Sequence, residues 1–515
     1  MRRTEQKYTR TISAWNRAPR PWLLLLLAAC AGKGDDSTSA GDTHADTADT
    51  GDTAETGDTA DTGETGDTTG DSDTGVPEGR TGVWPLADAD AVLVGSSGEL
   101  AGDALAWPGD VNGDGYDDLY VGASESDLGV AEGGAVYLLL GPVSGEVPLT
   151  EADAQIAGMT PRQRAGAKLG AGGDLNGDGA GDTLVGIWDA GQGAGQAWMV
   201  SGATRGGASL DDGPTLWGVD AGSNAGFSVA IAPDVNGDGI DDALVGANHD
   251  GADLSGTAWL VLGPIDADLS LADADVTWHG EAANDQLGAA VGGGGDIDGD
   301  GHGDVLLGAD GDTFGLPGKA YVLRGPAPAS LADADAVLTG EAPDDVAGNL
   351  VRGRDLDGDG RSDLLVDAYE NDTAGINAGA AYLWYGPVSG ALSLRDAPVK
   401  VLGLPDAEHF AEAIDFAGDT NQDGVGEILL GAHVHGPGGA AYLFEMPPTA
   451  GLTPSDARVT FTANAANDEG GWEVCGGGDV DNDGWPDLWI SARREATTAA
   501  QSGRVYLFRG GPGGE

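Results

Sequence analysis

Residues 110–118 read Asp110-Val-Asn-Gly-Asp-Gly-Tyr-Asp-Asp118, an acidic loop of the pattern Asp, x, Asp or Asn, x, Asp, Gly, x, x, Asp. The pattern opens again at Asp174, Asp234, Asp296, Asp355, Asp419 and Asp479, and successive openings lie 64, 60, 62, 59, 64 and 60 residues apart. Self-similarity at a fixed period of about sixty residues means that one structural unit has been copied along the chain.

Positions 1, 3, 5 and 9 of each loop offer hard oxygen ligands, position 7 offers its backbone carbonyl, and the glycine at position 6 lets the backbone turn tightly around an ion. With no sulfur and no clustered imidazole, this donor set predicts calcium, up to seven ions. The expected ligands of the first loop are Asp110, Asn112, Asp114, Tyr116 through its carbonyl, and Asp118. The second has Asp174, Asn176, Asp178, Ala180 and Asp182, and the third Asp234, Asn236, Asp238, Ile240 and Asp242. The fourth has Asp296, Asp298, Asp300, His302 and Asp304, and the fifth Asp355, Asp357, Asp359, Arg361 and Asp363. The sixth departs, with Asp419, Asn421, Asp423 and Val425 followed by Glu427, whose longer arm must do the work of an aspartate. The seventh has Asp479, Asp481, Asp483, Trp485 and Asp487. A lone loop of this composition reads better as a solvated turn; the matched offsets of the seven copies favour metal.

An EF-hand loop starts in the same way but closes with Glu at position 12 between two helices. Here position 12 is apolar or small, and the sequence continues as a strand: Leu119-Tyr-Val-Gly, Ala243-Leu-Val-Gly, Val305-Leu-Leu-Gly, Leu364-Leu-Val, Ile428-Leu-Leu-Gly. A second apolar run follows with an aromatic in one register, as in Ala135-Val-Tyr-Leu, Thr257-Ala-Trp-Leu and Arg504-Val-Tyr-Leu. A third run, such as Val276-Thr-Trp-His or Ala336-Val-Leu-Thr, and a glycine-rich strand before each loop make four short strands per unit. Short, evenly spaced strands with turn residues between them predict an all-β, seven-bladed β-propeller of four-stranded blades. The seventh copy lacks its fourth strand, whereas Ala91-Val-Leu-Val, near residues 90–95, precedes the first copy without partners of its own. This N-terminal strand is expected to complete the last blade and close the ring.

The unit resembles the FG-GAP repeat of the integrin α N-terminal propeller over about residues 85–515, most closely where the acidic loop runs into an apolar strand and Gly-Ala, as at Asp110 to Ala123 and Asp234 to Ala247. The resemblance implies a calcium-stabilised propeller with its metal loops on one face and its partner surface on the other. The Phe-Gly of the repeat is replaced by Ala101-Gly102, Ala165-Gly166, Ala225-Gly226 or Leu287-Gly288, changes that concern packing.

Residues 1–29 carry a basic stretch, then the apolar run Trp22 to Ala29, an order that predicts an export signal too short to span a membrane. Leu27-Ala28-Ala29-Cys30 resembles a bacterial lipobox, which implies lipidation of Cys30 and a lipid-anchored lipoprotein of the cell envelope, at the outer membrane, cell surface or periplasmic face. Residues 30–80 are dominated by Thr, Asp, Gly and Ala, cannot bury a core, and are expected to form a disordered tether of roughly 35–40 Å. Residues 81–515 form the propeller.

The formal charge of −61, from 24 basic against 85 acidic residues, excludes nucleic acid and anionic lipid surfaces as natural partners. The two cysteines, Cys30 and Cys475, provide no disulfide framework, so metal is expected to take the stapling role. No zinc spacing, nucleophile elbow or phosphate loop is present; His433-Val-His435 would place two rings on one strand face without a third ligand. The expected function is therefore a non-enzymatic binding or cell-adhesion module for a protein or glycan ligand. The alternative is a polysaccharide-active lyase or hydrolase on a calcium propeller. Binding is expected on the variable stretches Ser124 to Glu132, Trp188 to Gly195, Asn248 to Ser255, Asp310 to Pro317 and Tyr369 to Asn377.

Overall fold

In every copy the acidic loop joins two antiparallel strands, which fixes the direction of everything around it. The computed structural model describes residues 80–511 apart from 312–314, 406–408, 449–450 and 497–500. The export segment, Cys30 and the tether up to residue 79 lie outside the described residues.

Seven sheets result. Blade 1 is built from Ala101–Gly109, Asp118–Ala123, Ala135–Leu139 and Ala154–Ala157, each antiparallel to the next. The other blades repeat this order. The first strands of successive blades pack on one another around the axis, including those of blades 1 and 7 (Ala101–Gly109 and Gly470–Gly478). The second strand of every blade is buried along its whole length, because neighbouring blades cover both of its faces. This explains its unbroken apolar run. Where blades meet, backbone touches backbone: a Cβ added to Gly122 would lie 1.9 Å from the Gly166 carbonyl of the next blade.

The closing strand falls where the sequence places it. Ala91–Val94 pairs antiparallel with Arg504–Phe508, with Leu93 opposite Val505, and completes blade 7.

The expectation of four strands per blade is corrected in five of the seven sheets, which gain a short fifth strand. The linker between third and fourth strands of one blade pairs in parallel with the outer strand of the blade before it, as Gly206–Ser209 does with Ala154–Ala157 and Gly145–Pro148 with Ala91–Val94. Each linker then makes a one-turn 3-10 helix, six of them led by a buried leucine: Leu86, Leu149, Leu210, Leu271, Leu331 and Leu394. In the linker of blade 4, prolines 326 and 328 remove N–H donors, and the Trp278 indole of blade 3 donates instead to the Pro328 carbonyl at 2.8 Å.

The recurrent aromatic points into the core, and in blades 1, 4, 5 and 7, where it is Tyr, its hydroxyl finds a carboxylate. Tyr137 donates to Glu99 at 3.1 Å, Tyr321 to Glu281 at 2.9 Å and Tyr382 to Glu341 at 2.8 Å. Tyr506 makes the same contact with Glu495.

Candidate metal loops on one face of the ring

The loops share one hydrogen-bond scheme. In the first, Asp110 Oδ1 accepts the N–H groups of Asn112 (3.2 Å), Gly113 (2.7 Å) and Asp114 (3.2 Å), while Oδ2 accepts Gly115 N–H (2.7 Å). The bond from the position-6 glycine to the position-1 carboxylate recurs in all the other loops, at 2.7–2.9 Å for Gly179, Gly239, Gly301, Gly360, Gly424 and Gly484. The position-5 carboxylate accepts the N–H of position 7 throughout, for Tyr116, Ala180, Ile240, His302, Arg361, Val425 and Trp485. The backbone thus aims the acids before any ion arrives. Four N–H donors outweigh the upward push of burial and hold the Asp110 carboxyl below its ordinary range.

Position 9 behaves differently, being the first residue of a buried strand. One Asp118 oxygen accepts Val111 N–H at 2.8 Å and the other accepts Gly141 N–H at 2.8 Å. Asp182, Asp242, Asp304, Asp363 and Asp487 repeat this pair of bonds. Burial nevertheless pushes Asp118, Asp242, Asp304 and Asp363 up to about 6 and Asp182 and Asp487 up to about 7, with the neighbouring loop acids adding to the shift. These are buried carboxylates short of positive charge.

Single oxygens of Asp296, Asp298 and Asp300 lie within 4.8 Å of one another, as do those of Asp355, Asp357 and Asp359 and of Asp479, Asp481 and Asp483. In the first three loops Asn112, Asn176 and Asn236 stand at position 3, and their Oδ1 atoms each accept the position-5 N–H at 2.8 Å. In the sixth loop Asn421 does the same for Asp423, and the longer arm of Glu427 brings it within 4.8 Å of Asp419 and Asp423. Fully buried Glu427 accepts Thr420 N–H with one oxygen and leaves Oε1 without a hydrogen bond, Arg458 Nη1 lying 3.9 Å from it; Asp481 Oδ1 is buried and also makes no hydrogen bond. All-oxygen donors converging on one point, with orphaned buried oxygens, fit a hard divalent cation.

Arginines unnoticed in the sequence lean on the richest loops. Arg324 Nε lies 3.4 Å from Asp298 and Arg509 Nε 3.3 Å from Asp481, each following the third strand of its own blade. Position-7 side chains turn sideways: those of Ile240, His302 and Arg361 sit over Gly177, Gly237 and Gly299 of the preceding loop.

The histidine pair lies in a loop, the reading preferred over a two-ring strand face. His433 lies in a turn rather than a strand, its ring edge-on to Trp472 and Nδ1 3.3 Å from Glu412, whereas His435 packs edge-on to Tyr442. Glu412 also lies 3.5 Å from His409 Nδ1. The variable stretches join second to third strands, so antiparallel pairing puts them on the face opposite the acidic loops. Three of the exposed large apolar residues, Leu128, Ile376 and Val434, lie in such connections.

The FG-GAP repeat family matches residues 101–139 and 470–508, which lie in the two blades that meet at the seam. Integrin alpha-IIb of Mus musculus is 32% identical over 161 residues, covering 30% of this chain and 16% of that protein. Integrin alpha-7 of Mus musculus is 30% identical over 179 residues, covering 35% and 14%. Integrin alpha pat-2 of Caenorhabditis briggsae is 27% identical over 294 residues, covering 50% and 23%. The chain therefore spans less than a quarter of the length of these relatives. The chain is a seven-bladed β-propeller that carries FG-GAP repeats at residues 101–139 and 470–508 and is similar over part of its length to integrin α chains.

Proposed function

We propose that this protein is a calcium-stabilised, non-enzymatic binding or cell-adhesion module, held on a bacterial envelope by lipid on Cys30. The observation that carries the calcium part is the repetition of one preformed acidic cradle in all seven blades, six of them with a buried position-9 aspartate that has no ion pair among the described residues. Extracellular calcium modules of this kind bind at ~10⁻⁴ to 10⁻³ M, a range suited to a structural ion. The partner, a protein or a glycan, docks on the opposite face, where the second-to-third strand connections vary in length and expose Leu128 and Ile376, the latter 77% accessible.

Thermal unfolding in chelator and across a calcium titration tests the metal. A calcium-dependent rise in Tm is expected, and an unchanged Tm would sink the reading. For binding, partners captured from envelope extracts in calcium should be lost when Ser124 to Glu132 and Tyr369 to Asn377 are exchanged for short Gly-Ser connections. Turnover of neutral or anionic glycans by the purified chain would overturn the non-enzymatic part.

A further inference from the structure

Position 8 of the loop has no ligand role, yet it reaches the preceding loop of the ring. The N–H of Asp241 donates to the Asp174 carbonyl at 3.2 Å, Gly303 to Asp234 at 3.1 Å, Ser362 to Asp296 at 2.8 Å, and Gly426 to Leu356 at 2.7 Å. Across the seam, Asp117 N–H donates to the Asp479 carbonyl at 3.1 Å. Where position 8 also has an acceptor side chain, the bond is returned. Asp174 N–H donates to Asp241 at 2.8 Å, Asp296 N–H to Ser362 Oγ at 3.2 Å, and Asp479 N–H to Asp117 at 2.7 Å. Loops 2 and 3, 4 and 5, and 7 and 1 are thereby clamped twice, and Gly303 and Gly426 clamp their neighbours once. Position 8 of loop 7 is Pro486, which has no N–H to give, and loops 6 and 7 meet instead through the Gln422 side-chain amide, which donates to the Gly484 carbonyl at 3.2 Å. Among the described residues no such bond runs from Gly181 to loop 1.

We propose that the loops take up calcium as coupled pairs, 2 with 3, 4 with 5 and 7 with 1, through the position-8 residue. The pairing rests on the loops being calcium sites. Position 8 lies between two ligands of its own loop, so an ion there fixes its backbone and side chain. Those groups in turn hold both the N–H and the C=O of the neighbour's first ligand. An ion in loop 1 therefore removes part of the ordering cost of loop 7, which is positive coupling without any further conformational change. Coupling is reciprocal.

Terbium titrated into the full chain tests this, because Trp485 at position 7 of loop 7 sensitises an ion bound there. The loop-7 signal is the part lost in Trp485→Phe. Asp117→Ala is expected to weaken terbium binding at loop 7 by about five-fold or more, the lower end of ordinary site coupling, although no loop-7 ligand has changed. Asp117→Asn, which keeps an acceptor oxygen but not the charge, should stay within about two-fold of the parent, below that coupling range. Emptying loop 1 with Asp110→Asn and Asp114→Asn should weaken loop 7 as Asp117→Ala does, whereas Asp359→Asn in loop 5, two blades away from loop 7, should not. Equal Tm values in chelator guard against misfolding. Unchanged loop-7 affinity in Asp117→Ala, or an equal loss in Asp117→Asn, overturns the pairing while leaving the metal sites standing. Absence of Trp485-sensitised emission together with a calcium-independent Tm overturns the metal sites themselves.

Discussion

Asp117 and Asp479 exchange two hydrogen bonds across the seam of the ring: the Asp479 N–H donates to the Asp117 carboxylate at 2.7 Å, and the Asp117 N–H donates to the Asp479 carbonyl at 3.1 Å. The first and last acidic loops, 362 residues apart by this pair, are therefore neighbours. The same seam is closed a second time by Ala91–Val94, which supplies the outer strand that blade 7 lacks. Both closures join chain ends, so neither forms until the whole ring is assembled.

Cutting into the closing strand should therefore weaken the entire propeller. Leu93 is fully buried between Ala91 and the core of blades 1 and 7. Leu93→Ala is expected to cost about 2–5 kcal/mol, as for other buried leucines, seen as a fall in the denaturant midpoint. A midpoint unchanged within error would mean that blade 7 stands without its fourth strand.

Gly122→Ala should be costly for a different reason. Its Cβ would meet the Gly166 carbonyl carbon as well as the oxygen, and backbone does not move aside as a side chain does. A loss on the order of 3 kcal/mol or more is expected in thermal unfolding. Blades 5 and 7 accept Asp367 and Ser491 at the equivalent place, the first facing Phe410-Ala411 and the second Ala101-Gly102, so the cost at Gly122 is set by how closely the two backbones approach there and not by the repeat as such.

Removing a single loop should subtract a single ion. Asp355→Asn combined with Asp359→Asn removes two of the three clustered negative charges from loop 5. The number of calcium ions bound at saturation, counted by equilibrium dialysis, is expected to fall by one from the parent value. A parent chain that holds no calcium in dialysis would refute the whole set.

A pH effect separate from the loops is expected from Glu473, in the innermost strand of blade 7. Burial pushes its carboxyl from 4.5 up to about 7, against the pull of Arg352 and Lys168 and with Asp415 and Asp103 adding to the rise. A folded value above the unfolded one means that this group favours the folded chain below about 4.5 and loses that contribution as pH rises through about 7. Glu473→Gln should flatten the decline in Tm across this window at saturating calcium. Parallel pH profiles for the two proteins would count against it.

Much of this architecture was legible in the sequence. The loop pattern carries its ligands and its turn glycine in one short segment, so local chemistry specified both the cradle and the number of blades. The closing strand could be foreseen because counting strands leaves one over at the start and one missing at the end. The fifth strands could not, since Gly145–Pro148 and Gly206–Ser209 lack apolar alternation and are strands only because an outer strand with free N–H and C=O groups lies beside them. The Leu-Ala-Asp-Ala-Asp runs at 86–90, 271–275 and 331–335 were a signal for the linkers that the strand pattern overshadowed.

The sequence by itself determined the repeat, the acidic cradles and the all-β ring, because each depends on residues within about ten positions of one another. Only the tertiary structure decided which loops touch, that Arg324 and Arg509 lie against the most acidic of them, and that His433 turns to Glu412 and away from His435. Those relationships depend on where separate blades bring their ends together, and sequence spacing carries no record of that distance.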